Sequence, residues 1–358
     1  MPTLASHHTD PFHRELTRLV EGNQALFKSL DRHALLVTGA TGFFGTWLIG
    51  AILQAEQRLG IRCQVDVLTR DPTRLTQGLW SAMDTRRVKV HTGDIRTARH
   101  IRKPFSHIIH AAATSASATF HGQEDPLTKF DTTLEGTRAV LDLATTNPST
   151  RLLLVSSGSL YGPVGEDEHR LHEDHPGAPA IHDLNSAIGQ AKRAAEFLCH
   201  AHACRHNLSF SVARCFSFIG PGLPLDLHYA IGNFIGDALA KRAIHLKGDG
   251  SAIRSYMYAG DLVIWLLTIL FSGANGRAYN VGSDQPITIR ELAHTVAREL
   301  APQTPVVIGN SEATPSTRSC YVPHIDRARR ELGLTVWTPL EQAIQLTADA
   351  ARTWPSLR

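Results

Sequence analysis

The sequence predicts an α/β fold in which a doubly wound parallel sheet carries a smaller α/β lobe toward the C-terminus. From Ala34 onward, short apolar runs alternate with longer helical patterns, which is typical of parallel strands joined by crossover helices. The apolar run Leu35–Val37 leads into a glycine-rich turn and then into a helical pattern. After Gly220 the alternation loosens into loops, short strands and helices. We therefore expect helices on both faces of the sheet and a later lobe at its carboxyl edge, where ligands of such sheets bind.

Six apolar runs have the length and residue types of buried strands. They are Ala34–Val37, Gln64–Leu68, Val88–His91, His107–His110, Leu152–Val155 and Ser209–Arg214. The helical patterns between them include Thr133–Thr145 and Ser186–His206. Before the first strand, the apolar spacing of Phe12–Leu30 predicts an amphipathic helix packed on the main body.

The same criteria give the elements of the later section. Helices are predicted at Ala230–Ala240, Leu262–Phe271, Ile289–Glu299, His324–Leu332 and Pro339–Thr353, and short strands at Ala243–Leu246 and Ala278–Val281. We divide the chain into an N-terminal extension (1–30), a larger dinucleotide-binding domain (31–220) and a smaller lobe (221–358). This division leaves open that the chain crosses back from the smaller lobe to the larger domain.

Composition excludes several classes of function. Of 358 residues, 42% are hydrophobic and 19% charged, which is typical of a soluble globular protein. The net charge of +3 is too small to indicate nucleic-acid or membrane partners. Five irregularly spaced cysteines give no disulfide framework, and the longest apolar run, Leu262–Phe271, is too short to span a membrane. With no signal-peptide pattern at the N-terminus, we expect a cytoplasmic protein.

The glycine turn predicts a dinucleotide site. Gly39, Gly42 and Gly45 are spaced three apart between a strand and a helix, the context that a dinucleotide fingerprint requires. Glycine allows the tight turn and lets the backbone approach a pyrophosphate, which would sit on the N–H groups of the helix N-terminus.

The end of the second strand bears on the choice of coenzyme. A fold that prefers NAD usually has an acid there for the ribose 2′-hydroxyl. Here the position is Thr69, followed by Arg70, whose guanidinium suits a 2′-phosphate. We therefore expect NADP or NAD, with NADP favoured. Asp71 could still reach a ribose, although it is also placed to cap the turn before Pro72.

From Ala34 to Ala343 the motifs, in their order and spacing, resemble the extended short-chain dehydrogenase/reductase family, in particular its nucleotide-sugar epimerase/dehydratase branch. They are Thr38–Gly45, Gly93–Ile95, His110–Ala112, Gly136–Thr137, Ser156–Gly162, Lys192, Arg214, Gly220–Pro221, Gly248–Arg254, Asp261, Tyr279–Gly282 and Glu331–Gly333. The resemblance implies a Rossmann-like first domain and a substrate-binding C-terminal lobe. It also implies a homodimer built through helices equivalent to Thr133–Thr145 and Ser186–His206.

The resemblance implies a nucleotide-sugar substrate and no metal, and it assigns two sets of binding residues. The cofactor set is Gly39, Thr41, Gly42, Phe43, Phe44, Gly45, Thr69, Arg70, Asp94, Ile95, Ala111, Ala112, Ala113 and Lys192. The substrate set is Ser157, Ser159, Ser217, Asn233, Arg254 and Arg318. Arg254 would bind the diphosphate, because the planar guanidinium pairs with phosphate oxygens.

The family's catalytic centre is a Ser or Thr, a Tyr and a Lys, and this chain departs from it. In the family, the Tyr exchanges a proton with the sugar oxygen, the Ser or Thr hydrogen-bonds the same oxygen, and the Lys lowers the Tyr pKa. Ser157 and Lys192 match their positions, but the Tyr position, four before the Lys, holds Ile188. Isoleucine has no proton to exchange.

Three explanations stay open. Another group could act as the base, with Tyr161, His182 and Asp183 as candidates, although Tyr161 belongs to the family's Tyr-Gly turn. The chemistry could instead need less of a base, so that Lys192 or a water held by Ser157 suffices. Lastly, the protein could be a cofactor- or sugar-nucleotide-binding pseudoenzyme with a regulatory or scaffold role, or Ile188 could be an introduced substitution.

The residues after Ser157 bear on the reaction type. Family members that dehydrate at C4–C6 carry an Asp-Glu pair after the catalytic Thr, whereas Gly158 and Ser159 stand here. This disfavours a 4,6-dehydratase and leaves a 4-ketosugar reductase or an epimerase. Ser217 also replaces the family's usual Asn three residues after Arg214.

Two other patterns carry weaker functional interpretations. The helix end Cys199–His206 brings Cys and His residues four apart onto one face, but two ligands make half a zinc site, so an exposed polar helix end is the better account. His110 ends the fourth strand and could be a base, although the resemblance gives it a structural place.

Overall fold

The computed structural model describes residues 10–112, 124–163, 170–227, 229–309 and 319–354. Its strands are β1 Ala34–Thr38, β2 Gln64–Thr69, β3 Val88–Thr92, β4 His107–His110, β5 Arg151–Ser157, β6 Ser209–Cys215, β7 Phe218–Ile219, β8 Ile244–Leu246, β9 Ile253–Arg254, β10 Met257–Tyr258, β11 Arg277–Val281, β12 Ile287–Thr288, β13 Val306–Ile308 and β14 Cys320–Tyr321. Its helices are α1 Pro11–Gly22, α2 Gln24–Lys28, α3 Phe43–Leu59, α4 Pro126–Ala144, α5 Ala187–His206, α6 Ala230–Leu239, α7 Ala259–Ser272, α8 Ile289–Leu300, α9 Asp326–Leu332 and α10 Leu340–Thr353.

Seven of these strands form one parallel sheet, which confirms the predicted fold class. Their order is β11-β6-β5-β4-β1-β2-β3. β1 pairs with β2 on one side and with β4 on the other, so the direction of winding reverses at β1. The carboxyl ends on either side of this switch point frame a crevice.

The core lies on both faces of the sheet. Along β1, Leu35 and Val37 belong to one buried cluster, and Leu36 belongs to the cluster on the opposite face. This alternation follows from the two-residue period of a strand. Because both faces are covered, the strand is apolar throughout, as a strand of a parallel sheet should be.

The N-terminal segment forms two helices rather than the one helix predicted over Phe12–Leu30. The break falls at Asn23, whose backbone N–H donates to the Val20 carbonyl and whose side-chain amide donates to the Leu19 carbonyl. Asn23 thus closes the last turn of α1 and ends the helix. The predicted packing on the main body is present, since α1 buries Phe12 and Leu16.

Helix α4 begins at Pro126, earlier than the predicted Thr133. The Asp125 carboxylate accepts hydrogen bonds from the Leu127 and Thr128 backbone N–H groups, and Pro126 occupies the first helical position. An Asp followed by Pro is a strong start signal that the apolar periodicity alone did not include. Helix α7 likewise begins at Ala259, ahead of the predicted Leu262.

The chain after Gly220 contributes to both parts of the molecule. Three small groups of strands, β12-β9-β14, β13-β8 and β10-β7, lie outside the large sheet. Strand β11 returns to the large sheet and pairs in parallel with β6, from Arg277 opposite Ser211 to Val281 opposite Cys215. Within the described ranges, no helix is both long and apolar enough to cross a bilayer.

Candidate active site

The glycine turn joins β1 to α3 at the switch point of the sheet. Gly39 has a φ of +74°, and a Cβ there would lie 2.7 Å from the Ala111 carbonyl carbon. A Cβ on Gly45 would lie 2.3 Å from the Ala40 Cα, so the turn closes only with glycine at both positions. Gly42 is the N-cap of α3 and its end carries no side-chain cap. An uncapped helix N-terminus beside a glycine turn fits a pyrophosphate.

A cleft of about 1080 Å³ runs from this turn to the smaller lobe. Its first end is lined by predicted cofactor residues, namely Gly39, Thr41, Gly42, Phe43, Phe44, Thr69, Arg70, Asp94, Ile95, Ala111 and Ala112. Its other end includes the predicted substrate residues Ser217 and Arg254. The sequence analysis missed further lining side chains, among them Thr132, Phe216, Tyr229 and Tyr256. Single aromatic residues in loops carry no periodic signal that would have marked them.

Two acids at the coenzyme end of the cleft make local hydrogen bonds. Asp71 accepts hydrogen bonds from the Thr73 backbone N–H at 3.0 Å and the Thr73 hydroxyl at 2.6 Å, and these bonds hold its carboxyl pKa below the usual range. Asp94 pairs with Arg96, whose hydrogen bond lowers the pKa of the Asp94 carboxyl. Arg70 and Arg74 line the cleft beside them.

His110 lies in a closed chain of hydrogen bonds. The Thr137 hydroxyl donates to the Thr133 carbonyl, so it accepts from His110 Nε2–H at 3.2 Å. His110 Nδ1 then accepts from the Thr38 hydroxyl at 2.8 Å, and the Thr38 oxygen accepts from the Ala112 backbone N–H. Burial lowers the pKa of His110 to about 3, so the imidazole is neutral with both nitrogens bonded. This supports a structural place for His110 at the strand end.

Ser157 ends β5 and begins a tight 3₁₀ turn over Gly158–Tyr161. Its hydroxyl oxygen accepts from the Ser159 backbone N–H at 3.2 Å and from the Ser159 hydroxyl at 2.9 Å. The Tyr321 phenol oxygen lies beside this turn, since a Cβ on Gly158 would lie 2.8 Å from it. The sequence analysis did not single out Tyr321, because β14 is two residues long and distant in the chain.

Lys192 and Ile188 lie on α5, one turn apart. Lys192 is buried, and its Nζ donates to the Val155 carbonyl at 2.7 Å. Burial lowers the pKa of Lys192 to about 8. Ile188 is half-buried in the first turn of α5. That turn lies against the Ser157 loop, since a Cβ on neighbouring Gly189 would lie 2.6 Å from the Ser159 carbonyl oxygen.

The Tyr161 hydroxyl is held in a buried polar network. It donates to Asn280 Oδ1 at 2.7 Å and accepts from Arg214 Nη1 at 2.8 Å. Arg214 in turn pairs with Glu196 at 2.7 Å. Burial raises the pKa of Tyr161 to about 12. This arrangement supports a structural role for Tyr161, which links β5, β6 and β11.

The other predicted residues are distributed as follows. His182 and Asp183 are exposed, and Asp183 accepts from the Asn185 backbone N–H. Asn233 is half-buried on α6, close in sequence to the cleft-lining Ala230 and Ile231. Ala113 and Arg318 lie outside the described residues.

Arg254 is held by the backbone on its side of the cleft. Its Nη1 donates to the Ile253 carbonyl at 2.8 Å and to the Ser319 carbonyl at 3.0 Å.

Elsewhere, among the described residues, no group of three or more His, Cys, Asp or Glu side chains could hold a metal ion. In the Cys199–His206 segment, His200 packs edge-on against the Phe210 ring.

Comparison with known proteins identifies the family. A profile of the NAD dependent epimerase/dehydratase family matches residues 35–282. The chain belongs to this family. The motif resemblance is thereby confirmed, and with it the expectation of a Rossmann-like, NAD-linked fold of the nucleotide-sugar type.

The chain is similar to curated proteins and to solved structures. UDP-glucuronic acid decarboxylase 6 of Arabidopsis thaliana is 28% identical over 331 residues, covering 92% of this chain and 91% of that protein. UDP-glucuronic acid decarboxylase 1 of Danio rerio is 26% identical over 318 residues, covering 88% and 72%. The structure of UDP-glucose 4-epimerase from Thermotoga maritima is similar in fold, with a TM-score of 0.75, 20% identity and coverage of 89% of this chain and 99% of that one.

Proposed function

We propose that this chain is a nicotinamide-dependent enzyme that acts on a sugar carried by a nucleoside diphosphate, as a 4-ketosugar reductase or an epimerase. The observation that carries the proposal is the single continuous cleft. One cavity joins the glycine turn at Gly39 to Arg254, so a dinucleotide and a diphosphate would meet inside it. The relatives named for UDP-linked sugars support a uridine diphosphate as the carrier.

The chain's own residues have distinct parts in this proposal. The backbone N–H groups at the start of α3 would bind the pyrophosphate of the coenzyme, and Arg254 would bind the sugar diphosphate. Ser157 would hold the reacting sugar oxygen. The bound nicotinamide would supply or accept hydride at the sugar carbon. Lys192 is buried with a lowered pKa, and its ammonium would add positive charge near the reacting oxygen.

We favour NADP over NAD as the coenzyme. Arg70 and Arg74 both line the cleft beside Thr69, whereas the Asp71 carboxylate is taken up by Thr73 and the Asp94 carboxylate by Arg96. Two cations at this end favour a 2′-phosphate. We further propose that the protein is a cytoplasmic homodimer.

A pseudoenzyme is the alternative that the Ile188 side chain favours. A protein that lacks the family's phenol could bind coenzyme and sugar nucleotide without turnover. The two candidates agree on binding and differ on chemistry, so turnover decides between them.

The proposal is tested by calorimetry and a substrate panel. We expect both coenzymes to bind, with NADP about tenfold tighter, because the 2′-phosphate gains a hydrogen bond between charged groups. The wild-type protein should reduce at least one UDP-4-ketosugar or epimerise a UDP-sugar. UDP-glucuronic acid belongs in the panel, since a 4-keto uronate is a β-keto acid that can lose CO₂. If the wild type is inert and Ile188→Tyr is active, the pseudoenzyme is the correct alternative.

A further inference from the structure

The smaller lobe brings a second phenol to the end of β5. β14 pairs in parallel with β9, which places Tyr321 opposite Arg254 at the wall of the cleft. The Tyr321 ring centroid lies 4.7 Å from that of Phe216, and Phe216 lines the cleft. The phenol oxygen lies beside the Ser157–Gly158 turn. Two strands distant in sequence thus converge on one serine.

Gly158 provides the space for this contact. A Cβ at position 158 would lie 2.8 Å from the Tyr321 phenol oxygen and 2.8 Å from Phe216 Cζ. Any larger residue there would displace the phenol from Ser157. The glycine directly after Ser157 and the tyrosine on β14 are therefore complementary.

We infer that Tyr321 is the proton donor to the sugar oxygen held by Ser157, in place of the phenol that position 188 lacks. The inference rests on the proposed function, in which Ser157 hydrogen-bonds the reacting oxygen. A phenol beside the Ser157–Gly158 turn is within reach of an oxygen bound to the Ser157 hydroxyl. Tyr161 cannot take this part, because Asn280 and Arg214 hold its hydroxyl.

The surroundings of Tyr321 keep the phenol protonated. Burial raises its pKa well above the usual value, and Cys215 and Tyr161 act in the same direction. Ser157 and the Arg254 cation oppose this shift but do not overcome it. A neutral phenol can donate a hydrogen bond and its proton to the alkoxide that develops on the sugar oxygen, where its raised pKa makes it a weaker acid than a free phenol, and it is a poor base. The site is therefore suited to reducing a ketone rather than to oxidising an alcohol.

The step balances as a ketone reduction. A reduced nicotinamide coenzyme is the source of the hydride, as the proposed function requires. As hydride bonds to the carbonyl carbon, the C=O π bond breaks and the phenol O–H proton passes to the oxygen, which becomes a hydroxyl. The resulting phenolate takes a proton from solvent, so the net reaction consumes one hydride and one proton.

The first test is Tyr321→Phe, which removes the hydroxyl and keeps the ring on Phe216. We expect kcat for the ketosugar to fall roughly a hundred- to ten-thousand-fold, the usual cost of losing a positioned acid, with KM nearly unchanged. Ultraviolet titration of the coenzyme-free proteins gives a second readout. Tyr161 and Tyr256 also have pKa values raised to about 12, so the comparison is a difference: Tyr321→Phe should have one phenol fewer than the wild type that ionises above the ordinary tyrosine pKa of about 10.

Rescue separates a proton donor from a structural tyrosine. Adding Ile188→Tyr to Tyr321→Phe should restore kcat, because it returns a phenol to the position where the family has its tyrosine. Gly158→Ala, which keeps the phenol but displaces it, should lower kcat as Tyr321→Phe does. These variants also keep the test valid if Tyr321→Phe folds poorly.

Each outcome bears on one proposal or the other. Wild-type turnover that Tyr321→Phe leaves unchanged overturns the role of Tyr321 and leaves the proposed function standing. An inert wild type with an active Ile188→Tyr variant also overturns it, while supporting the sugar-nucleotide site. If both are inert and neither coenzyme binds, the proposed function fails with it.

Discussion

At the scale of single residues, the site depends on backbone approach as much as on functional groups. Gly39 meets the Ala111 backbone so closely that its missing Cβ sets the path of the turn. The Thr38–His110–Thr137 chain fixes the neighbouring strand end. The candidate coenzyme site is thus built mainly from main-chain atoms held in place by buried side chains.

Replacing Gly39 should abolish coenzyme binding. In Gly39→Ala the new Cβ would lie 2.7 Å from the Ala111 carbonyl, and the φ of +74° would also be strained. We expect no association by calorimetry with either coenzyme. Gly60→Ala is a matched control, because Gly60 has a φ of +67° with no atom within 4 Å of its Cβ position. Normal binding by Gly39→Ala would contradict the assignment of the turn.

Sequence reasoning reached the coenzyme end of the site more fully than the reacting end. Gly39, Arg70 and Ala111 each follow a strand that a short apolar run predicts. Local sequence was therefore enough to place them at the same edge of the sheet. Tyr321 and Asn280 reach the Ser157 loop through strand pairing between distant segments, β14 with β9 and β11 with β6. Contacts of that kind depend on tertiary packing, which no local pattern encodes.

At the scale of elements, α4 and α5 pack side by side and leave apolar side chains on their outer surfaces. Phe197 on α5 is 71% exposed and Leu127 on α4 is 73% exposed. Single exposed apolar side chains are common on monomers, so these two residues mark where a covered surface would lie without establishing one. The family resemblance implies a dimer through these two helices.

Phe197→Glu should therefore weaken the dimer. If Phe197 is buried in the interface, replacing it with a charged side chain should cost about 2 kcal/mol, so the dissociation constant should rise roughly thirtyfold. Light scattering across a concentration series measures the change. Val307→Glu is the control, because Val307 is 40% exposed on β13, away from both helices. A wild type that is monomeric at micromolar concentration would contradict the proposal.

The helix boundaries show which features apolar periodicity alone does not predict. The strands of the large sheet were predicted to within a residue or two, since buried parallel strands are continuous apolar runs. The start of α4 was predicted seven residues late, because the first two turns carry few apolar residues and the Asp125–Pro126 cap was passed over. The break at Asn23 was missed for the same reason, since capping is a polar and local event.

At the scale of the whole molecule, two buried histidines couple stability to pH. Burial lowers the pKa of His110 to about 3 and that of His107 to about 4. Lys192 adds to the shift at His110, and His33 and Arg151 add to it at His107. The unfolded chain binds protons at these sites near pH 6.5, whereas the folded chain does not. Their stabilising contribution is therefore complete above about pH 6.5 and is lost as the pH falls.

We expect each histidine to cost about 1.4 kcal/mol of unfolding free energy per pH unit below about pH 6.5. In His110→Gln, this part of the slope should disappear, although the variant's stability at neutral pH is lower. Urea unfolding of both proteins between pH 7.5 and 5 measures the two slopes. Equal slopes would show that His110 protonates in the folded state and would contradict its closed hydrogen-bond chain.

Strand β11 has a consequence for how the protein is made. The β6 edge of the nucleotide-binding sheet gains its partner only when residues 277–281 have left the ribosome, long after the rest of that sheet. Until then, the nascent chain has an open strand edge, which can pair with strands of other chains and so promote aggregation. Asn280, on the same late strand, also bonds the Tyr161 hydroxyl. The large sheet and the polar network beside the candidate active site are therefore completed by the same strand. A chain that terminates before residue 277 should aggregate rather than form a stable partial fold.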